Sequence, residues 1–379
     1  MTVRLADGAC GIGAAAWNAC ANPHGLASPH PFTRYEFFEA LEASGSATAR
    51  TGWQPAHLVL ESDGRITGIL PTYLKSHSQG EYVFDHAWAD ALERAGGDYY
   101  PKLQSSIPFT PVTGPRILAA AEADRDLLLL AGKAATDQIG ASSLHITFLR
   151  KAEWEAAGRH GYLLRTDRQF HWRNRGYRDF GEFLGELSSA KRKTLRKERD
   201  AVAKEGIRFD WLTGREITEA HWDRFFEFYT DTGSRKWGRP YLTRDFFSRI
   251  GAGMADQIVL ILAKRGSIYI AGALNLMGEN ILFGRNWGAL DYVPFLHFET
   301  CYYQAIDFAI ARGLSKVEAG AQGEHKLLRG YMPEETYSAH YIAHKGLRRA
   351  VDQFLTEERE AVSEHIDELA RHGPFRKES

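Results

Sequence analysis

Two stretches of the chain share one pattern of apolar and polar positions. "AHLVLESDGRITGILPTYLK", from Ala56, and "QIVLILAKRGSIYIAGALNLMG", from Gln257, each read as an apolar strand, a short polar turn with glycine, and a second strand. Gly68 and Gly272 stand at matching places in the second strand. Both stretches continue alike. "DRDLLLLAGKAATDQIGASSLHITFL" and "FETCYYQAIDFAIARGLSKVEAG" each give a helix, a glycine stop (Gly140, Gly313) and a buried strand. A repeated order of strand, strand, helix and strand predicts a duplicated α/β domain, with halves at 1–165 and 166–379.

The periodicity of the second half predicts its elements in turn. "IRFDWLTG" is a strand. "EITEAHWDRFFEFYTDTG" is a helix with Trp222, Phe225, Phe226 and Tyr229 along one face. "YLTRDFFSRIGAGM" is a second helix, the hairpin follows, and "NILFGRNWGAL" is a third strand. A helix from about Pro294 to Arg312 leads to the strand "LSKVEAG", a short helix "GEHKLLRGY" and a closing strand "TYSAHYIAH". The tail from Arg348 reads as a polar amphipathic helix, packed on the second half or on a partner.

Composition narrows the class. The chain has 379 residues, 44% hydrophobic and 25% charged, enough for two buried cores in a soluble protein. No apolar run approaches the roughly 20 residues that span a bilayer, and the first residues lack the Leu/Val/Ile-rich core of a signal peptide. Three cysteines, Cys10, Cys20 and Cys301, form no Cys-x-x-Cys pair, and their odd number argues against a disulfide framework. A reducing cytoplasm is the expected compartment. The fifteen histidines show no metal-binding spacing, so no metal is expected. No Gly-x-Ser-x-Gly elbow is present, which argues against a serine nucleophile.

Charge is unevenly placed. The net charge is −1, yet six of the nine residues from Lys191 to Arg199 are basic. A helix over 188–205, capped by Ser188 or Ser189, puts Arg192, Arg196 and Arg199 on one stripe, widened by Lys193, Lys197 and Lys204. A solvated face partly neutralised by Glu198, Asp200 and Glu205 is one reading. Self-repulsion within the run favours the other, an anionic partner: a phosphate, tRNA or anionic lipid headgroups. On that reading Arg192, Lys193, Arg196 and Arg199 are the anion-binding residues.

Several longer strings add a resemblance. "YYPKLQSSIPFTPVTGPR", "QFHWRNRGYRDFGEFLGELSSAKRKTLRKER", "KWGRPYL", "LHFETCYYQAI" and "EAGAQGEHKLLRGYMP" resemble the FemAB-like, peptidoglycan-biosynthesis-like branch of the Gcn5-related N-acetyltransferase superfamily, from roughly Phe32 to Arg349. The resemblance implies an α/β (α+β) chain of two tandem acetyltransferase-like domains, each a mixed, mostly antiparallel sheet flanked by helices. It implies acylation of an amine. Some members of the branch use aminoacyl-tRNA to extend a peptidoglycan precursor; others use thioesters, including long-chain acylation of lipid amines such as sphingoid bases. One departure stands out: the glycine-rich turn that holds the coenzyme A pyrophosphate in this superfamily is absent from "GRNWGALDYVPFLHFE" and from the first half.

Within that frame the candidate catalytic residues are Lys326, Glu318, Glu299, His297 and Tyr302. Lys326 would neutralise a phosphate or a developing oxyanion. His297 or Glu299 would be the base that frees the amine, and Tyr302 the acid. Glu318, Glu324, Lys326 and Arg329 also read as ion pairs. Arg285, Asn286, Trp287, Gln322, His325, Lys102, Gln104 and Trp237 are candidate substrate-binding residues, with Lys102 and Gln104 closing the cleft from the first half. The expected function is a cytoplasmic N-acyltransferase, peripheral to a membrane or not, that forms an amide from a primary amine, a small molecule or a lipid. Its expected donor is a thioester on coenzyme A or an acyl carrier protein, a substrate rather than a consumed cofactor. The aromatic, apolar site strings suit an acyl chain. The alternatives are an aminoacyl-tRNA-dependent transferase and a non-catalytic tRNA- or membrane-binding module.

Overall fold

The structure, a computed structural model, describes residues 1–237, 240–320 and 323–376, apart from the side chains of 235–237. The chain forms two compact units: Met1–Arg168 with Glu335–His365, and Gln169–Glu334 with Ile366–Ser379. The second half is therefore not one unbroken run from 166 onward, because Glu335–His365 belongs to the first unit.

The first unit contains, in order, β1 (Thr2–Ala6), α1 (Ala14–Ala21), α2 (Tyr35–Ala43), β2 (Trp53–Pro55), β3 (His57–Ser62), β4 (Arg65–Leu70), β5 (Tyr73–Lys75), α3 (His86–Arg94), β6 (Lys102–Ser105), β7 (Leu118–Ala119), α4 (Glu122–Gln138), β8 (Ser143–Leu149) and α5 (Lys151–Arg159). Strand β9 (Leu163–Arg173) carries the chain onward. Then follow α6 (Phe180–Glu186), α7 (Ser189–Lys204), β10 (Ile207–Thr213), α8 (Glu219–Trp237), α9 (Arg244–Gly253), β11 (Ile258–Arg265), β12 (Ile268–Met277), β13 (Ile281–Ala289), α10 (Leu296–Phe298), α11 (Gln304–Ala311), β14 (Lys316–Glu318), β15 (Met332–Ile342) and α12 (Lys345–Arg371).

The units repeat one design down to its irregularities. In each, a first strand pairs antiparallel with a hairpin, β1 with β3–β4 and β10 with β11–β12. Both hairpins carry a bulge, after Leu60 and after Ala263. In each, a strand then pairs parallel with the strand beyond the long helix: Leu103–Ser105 with Leu144–Ile146, and Ile281–Phe283 with Lys316–Glu318. Gly140 and Gly313, at φ +68° and +65°, end the two long helices in the left-handed conformation that glycine adopts without a Cβ penalty. This is the tandem, mostly antiparallel α/β architecture, with sheets flanked by helices.

They differ at the joint that follows the hairpin. In the second unit β12 pairs with β13 from Ala271 to Met277, so its strands form one run, β10-β11-β12-β13-β14-β9. In the first unit β4 pairs with β7 and β6 with β5, so the strands fall into two sheets. Packing explains the firm joint in the second unit. Trp222, Phe225 and Phe228 of α8 are buried, with Phe226 only half-buried. A Cβ on Gly288 would stand 2.1 Å from the Phe228 carbonyl oxygen, so glycine is what lets α8 lie directly on β13. Helix α12 docks Leu347, Val351 and Leu355 into the core of the first unit beside Trp88, Leu92 and Tyr99. The expected docking on the second half is confined to its end, where Leu369 joins that unit's core.

Candidate active site

The site lies in the second unit, where strands part. Pairing between β13 and β14 stops at Phe283 and Glu318. Beyond that point β13 carries Arg285, Asn286 and Trp287, all half-buried. The chain then turns through Leu290–Phe295 into the next helix, where Phe295 takes φ +66°. The helix is not regular. Between α10 and α11 the segment Glu299–Tyr303 is a π-turn. Such insertions re-aim side chains and recur at functional sites.

The turn gathers a cluster of rings. His297 lies edge-on to Trp287 and to Tyr302, with centroids 5.3 Å away in each case. The Tyr302 hydroxyl and His325 Nε2 are hydrogen-bonded at 3.0 Å, and the Tyr331 hydroxyl donates to the Tyr302 carbonyl at 3.1 Å. Phe298 stacks with Tyr302 and leans on His325. Trp287, His297 and Phe298 also line a cleft of about 510 Å³, together with Thr232, Tyr292 and Phe295. The lining is mostly aromatic and apolar, as expected for a small-molecule pocket.

Lys326 stands beside this cluster on the short 3₁₀ turn Glu324–Arg329. It is 2% exposed, and its ammonium donates to the Gly320 carbonyl at 2.9 Å; among the described residues no carboxylate lies within ion-pair range of it. Burial therefore dominates and pulls its pKa down to about 8, with Cys301 opposing. His325 is lowered by burial and by the charges of Lys326 and Arg329, so its imidazole is neutral at pH 7. Burial raises the Tyr302 phenol. The cluster thus holds a cation with no counter-charge among the described residues, a neutral imidazole and a phenol that stays protonated.

The turn that carries Lys326 is clamped from below. Arg329 donates to the His325 carbonyl at 2.8 Å and to both carboxylate oxygens of Glu198 at 2.8 and 2.9 Å. Its guanidinium lies 3.5 Å from the centroid of Phe298. Glu198 also accepts from the Tyr303 hydroxyl. Both contacts to Glu198 leave one terminal nitrogen, Nη2, and charge-assisted hydrogen bonds of this kind are stronger than neutral ones. Arg329, Glu198, Phe298 and Cys301 are absent from the sequence-based site. The spacing of Lys326 and Arg329, three apart on one turn, is the available signal for the first; Glu198 is hidden inside the basic run.

Several sequence-based assignments change. Glu299 does not face the cleft as a base. It is 3% exposed, and its Oε1 accepts from Arg199 at 2.9 Å and from Gln304 at 2.8 Å. Arg199, expected on the anion-binding stripe, turns inward instead, bridging Glu299 and Asp307 and covering the ring of Phe180. Arg192, Lys193 and Arg196 do lie on the outer face of α7, with Lys197 and Lys204. Glu318 is buried and paired with Lys316 at 2.6 Å, with His171 at 3.9 Å; its partners lie on the sheet rather than in the cluster. Lys102 and Gln104 are fully buried within the first unit and line no open cleft. Lys102 donates to Ser78 and Glu81 at 2.7 Å and to Asp85, and Gln104 donates to Thr147 at 3.2 Å. Gln322 and the side chain of Trp237 lie outside the described residues. Among the described residues no group of three or more His, Cys, Asp or Glu side chains is placed to hold a metal ion. Among them, too, no helix is long and apolar enough to cross a membrane.

Comparison with known proteins places this architecture. The crystal structure of FemX superposes with a TM-score of 0.54 at 11% identity, covering 93% of this chain and 100% of that one. The structure of L-PGS from Bacillus licheniformis does so with a TM-score of 0.52 at 11% identity, covering 86% and 98%. At such identities the likeness is one of fold. No curated protein matches the sequence. The FemAB-like family model, described as peptidoglycan biosynthesis/recognition, matches residues 9–377. With nearly its whole length covered by that model, the chain belongs to the FemAB-like family.

Proposed function

We propose that this protein is an amide-forming transferase of the acyl and aminoacyl class, with its chemistry in the second unit. The observation that carries the reading is Lys326: a buried cation without a counter-charge among the described residues, beside a hydrogen-bonded Tyr302–His325 pair and an aromatic cleft. Leaving a charge unpaired in a protein interior is costly, and such arrangements concentrate at functional sites. In the reaction a neutral primary amine attacks the carbonyl of an activated ester. Negative charge develops on the carbonyl oxygen, and the Lys326 ammonium stabilises it. The C–N bond forms and the bond to the leaving oxygen or sulfur breaks. The amine's proton passes through the Tyr302–His325 pair to the leaving group, since neutral His325 can accept and Tyr302 can donate.

The family description, peptidoglycan biosynthesis/recognition, supports an acceptor of the peptidoglycan-precursor kind, and the first reading joins to it an aminoacyl ester of tRNA as donor. A thioester on coenzyme A or an acyl carrier protein, with a lipid amine as acceptor, is the second reading. The apolar lining of the cleft favours it, because each CH₂ buried there contributes about 0.8 kcal/mol. The pure protein should be offered labelled aminoacyl-tRNA and labelled acyl thioesters of several lengths, separately, with a mixed pool of amines. Amide from the tRNA ester alone selects the first reading, and amide from thioesters alone selects the second. Failure of every donor would overturn the transferase reading and leave a binding module.

A further inference from the structure

The second unit exposes a cationic face and an apolar loop on one small core. Helix α7 buries Leu195, Glu198 and Val202. At 100° per residue the opposite face carries Arg192, Lys193, Arg196, Lys197 and Lys204, with Asp200 as the acid among them. Val202 packs in the same cluster as Val293 and Leu296, which anchor the loop after β13. Arg265 ties the two ends, lying 3.7 Å from Glu205 at the end of α7 and 3.6 Å from Asp291 in the loop. The loop itself turns its large side chains outward. Tyr292 is 90% exposed, Leu290 40% and Phe295 37%.

The geometry points to a docking surface for an anionic phospholipid membrane, with the α7 cations over the headgroups and the Leu290–Phe295 loop dipping into the interface. The two features are complementary in a way that one partner explains. A polyanion without an apolar phase, such as an RNA backbone, would use the cations and leave Leu290 and Tyr292 in water. Anionic bilayers reward both, through headgroup charge and through the preference of tyrosine for the membrane–water boundary. Tyr292 and Phe295 also rim the cleft that holds Trp287 and His297. Docking would thus set the cleft mouth against the lipid surface. The surface stands independently of the donor and acceptor proposed above.

The test is co-sedimentation of the full chain with vesicles of phosphatidylcholine alone, and of phosphatidylcholine with phosphatidylglycerol. The expected result is binding to the second kind only, falling as salt rises. A variant with Lys193, Arg196, Lys197 and Lys204 all changed to Gln, each exposed, should lose about fivefold in partitioning per cation removed. Tyr292→Ser should weaken binding further and do so at high salt as well, where charge is screened. Equal binding by wild type and the charge variant would overturn the proposal. So would an unaltered high-salt residue in Tyr292→Ser, or tight binding of bulk tRNA with none to the anionic vesicles.

Discussion

Lys102 in the first unit and Lys326 in the second are both nearly sealed from water, and the two units treat them in opposite ways. Lys102 is fully buried, with its donors spent on Ser78, Glu81 and Asp85. Desolvation works against its charge, but the two carboxylates outweigh it and its pKa is raised. The network extends further: Asp85 accepts from Tyr99, Tyr99 reaches His145, and His145 meets His340 at 2.7 Å. Burial and the Lys102 charge pull His145 down to about 3, so it stays neutral. Among the described residues Lys326 has the Gly320 carbonyl as its hydrogen-bond partner, and its pKa falls. The contrast teaches what to ask of a buried lysine. A fully paired one holds its unit together and can be broken only at a structural cost. One without a counter-charge is a standing expense to stability, which suits a group reserved for charge that appears during a reaction.

The largest effect should come from breaking the paired side. Lys102→Met removes the cation that Asp85 and Glu81 share, leaving Glu81 with Lys75 at 3.7 Å and Asp85 with the Tyr99 hydroxyl, and should cost about 3–5 kcal/mol of unfolding free energy, read by urea denaturation. A loss below about 1 kcal/mol would mean the network is not structural. Lys326→Met should do the reverse. Turnover should fall on the order of 10²–10³-fold. The unfolding free energy at pH 7 should stay level or rise, by up to roughly 3 kcal/mol, since the cost of holding a lysine near pKa 8 is lifted. Full turnover in a folded Lys326→Met protein would end the comparison.

Smaller effects sharpen it. Glu198→Gln removes the anion that clamps Arg329 and should cost about 1–3 kcal/mol, with a larger fall in turnover than stability loss explains. If turnover merely follows stability, the clamp does not position Lys326. The pH profile gives the finest test. A lysine at about 8 loses its charge as pH rises through 8, so turnover should decline there, and Lys326→Arg should move that decline upward. For stability the sign is opposite. The folded pKa lies below the ordinary value of 10.5, so between pH 8 and 10.5 the unfolded chain binds the extra proton. Wild-type stability should therefore rise across that window, and Lys326→Met should lack the rise.

Much of the fold was legible because its signals are local. Two apolar runs about a polar, glycine-bearing turn in "IVLILAKRGSIYIAGALNLM" marked the hairpin β11–β12, and glycine stops marked the ends of the two long helices. The cluster of His297, Tyr302, His325 and Lys326 was legible in part, since these residues lie on two short neighbouring strings. The π-turn was not, because nothing in "ETCYY" marks an extra residue in a helical repeat. The inward pairing of Glu299 was hidden for a different reason. Its partner Arg199 lies 100 residues upstream, in a run whose composition suggested one uniformly solvated or ligand-facing stripe. The apolar positions Leu195 and Val202 define the inner face of that helix, but not that Glu198 and Arg199 turn to it as well.

Chain order alone determined the duplication, the strand and helix sequence of the second unit and the concentration of positive charge on α7, because periodicity, turn residues and charge counts act over a few residues. Tertiary structure decided everything that depends on burial. It returned Glu335–His365 to the first unit, closed Lys102 among carboxylates and left Lys326 with a carbonyl. It also joined Glu198 to Arg329 across 131 positions. A charge costs little in water wherever it falls in the chain, so a sequence can carry it in many ways. Only when packing removes the water does the presence or absence of a partner become worth several kcal/mol, and that choice separates the lysine that holds this protein together from the one proposed to work for it.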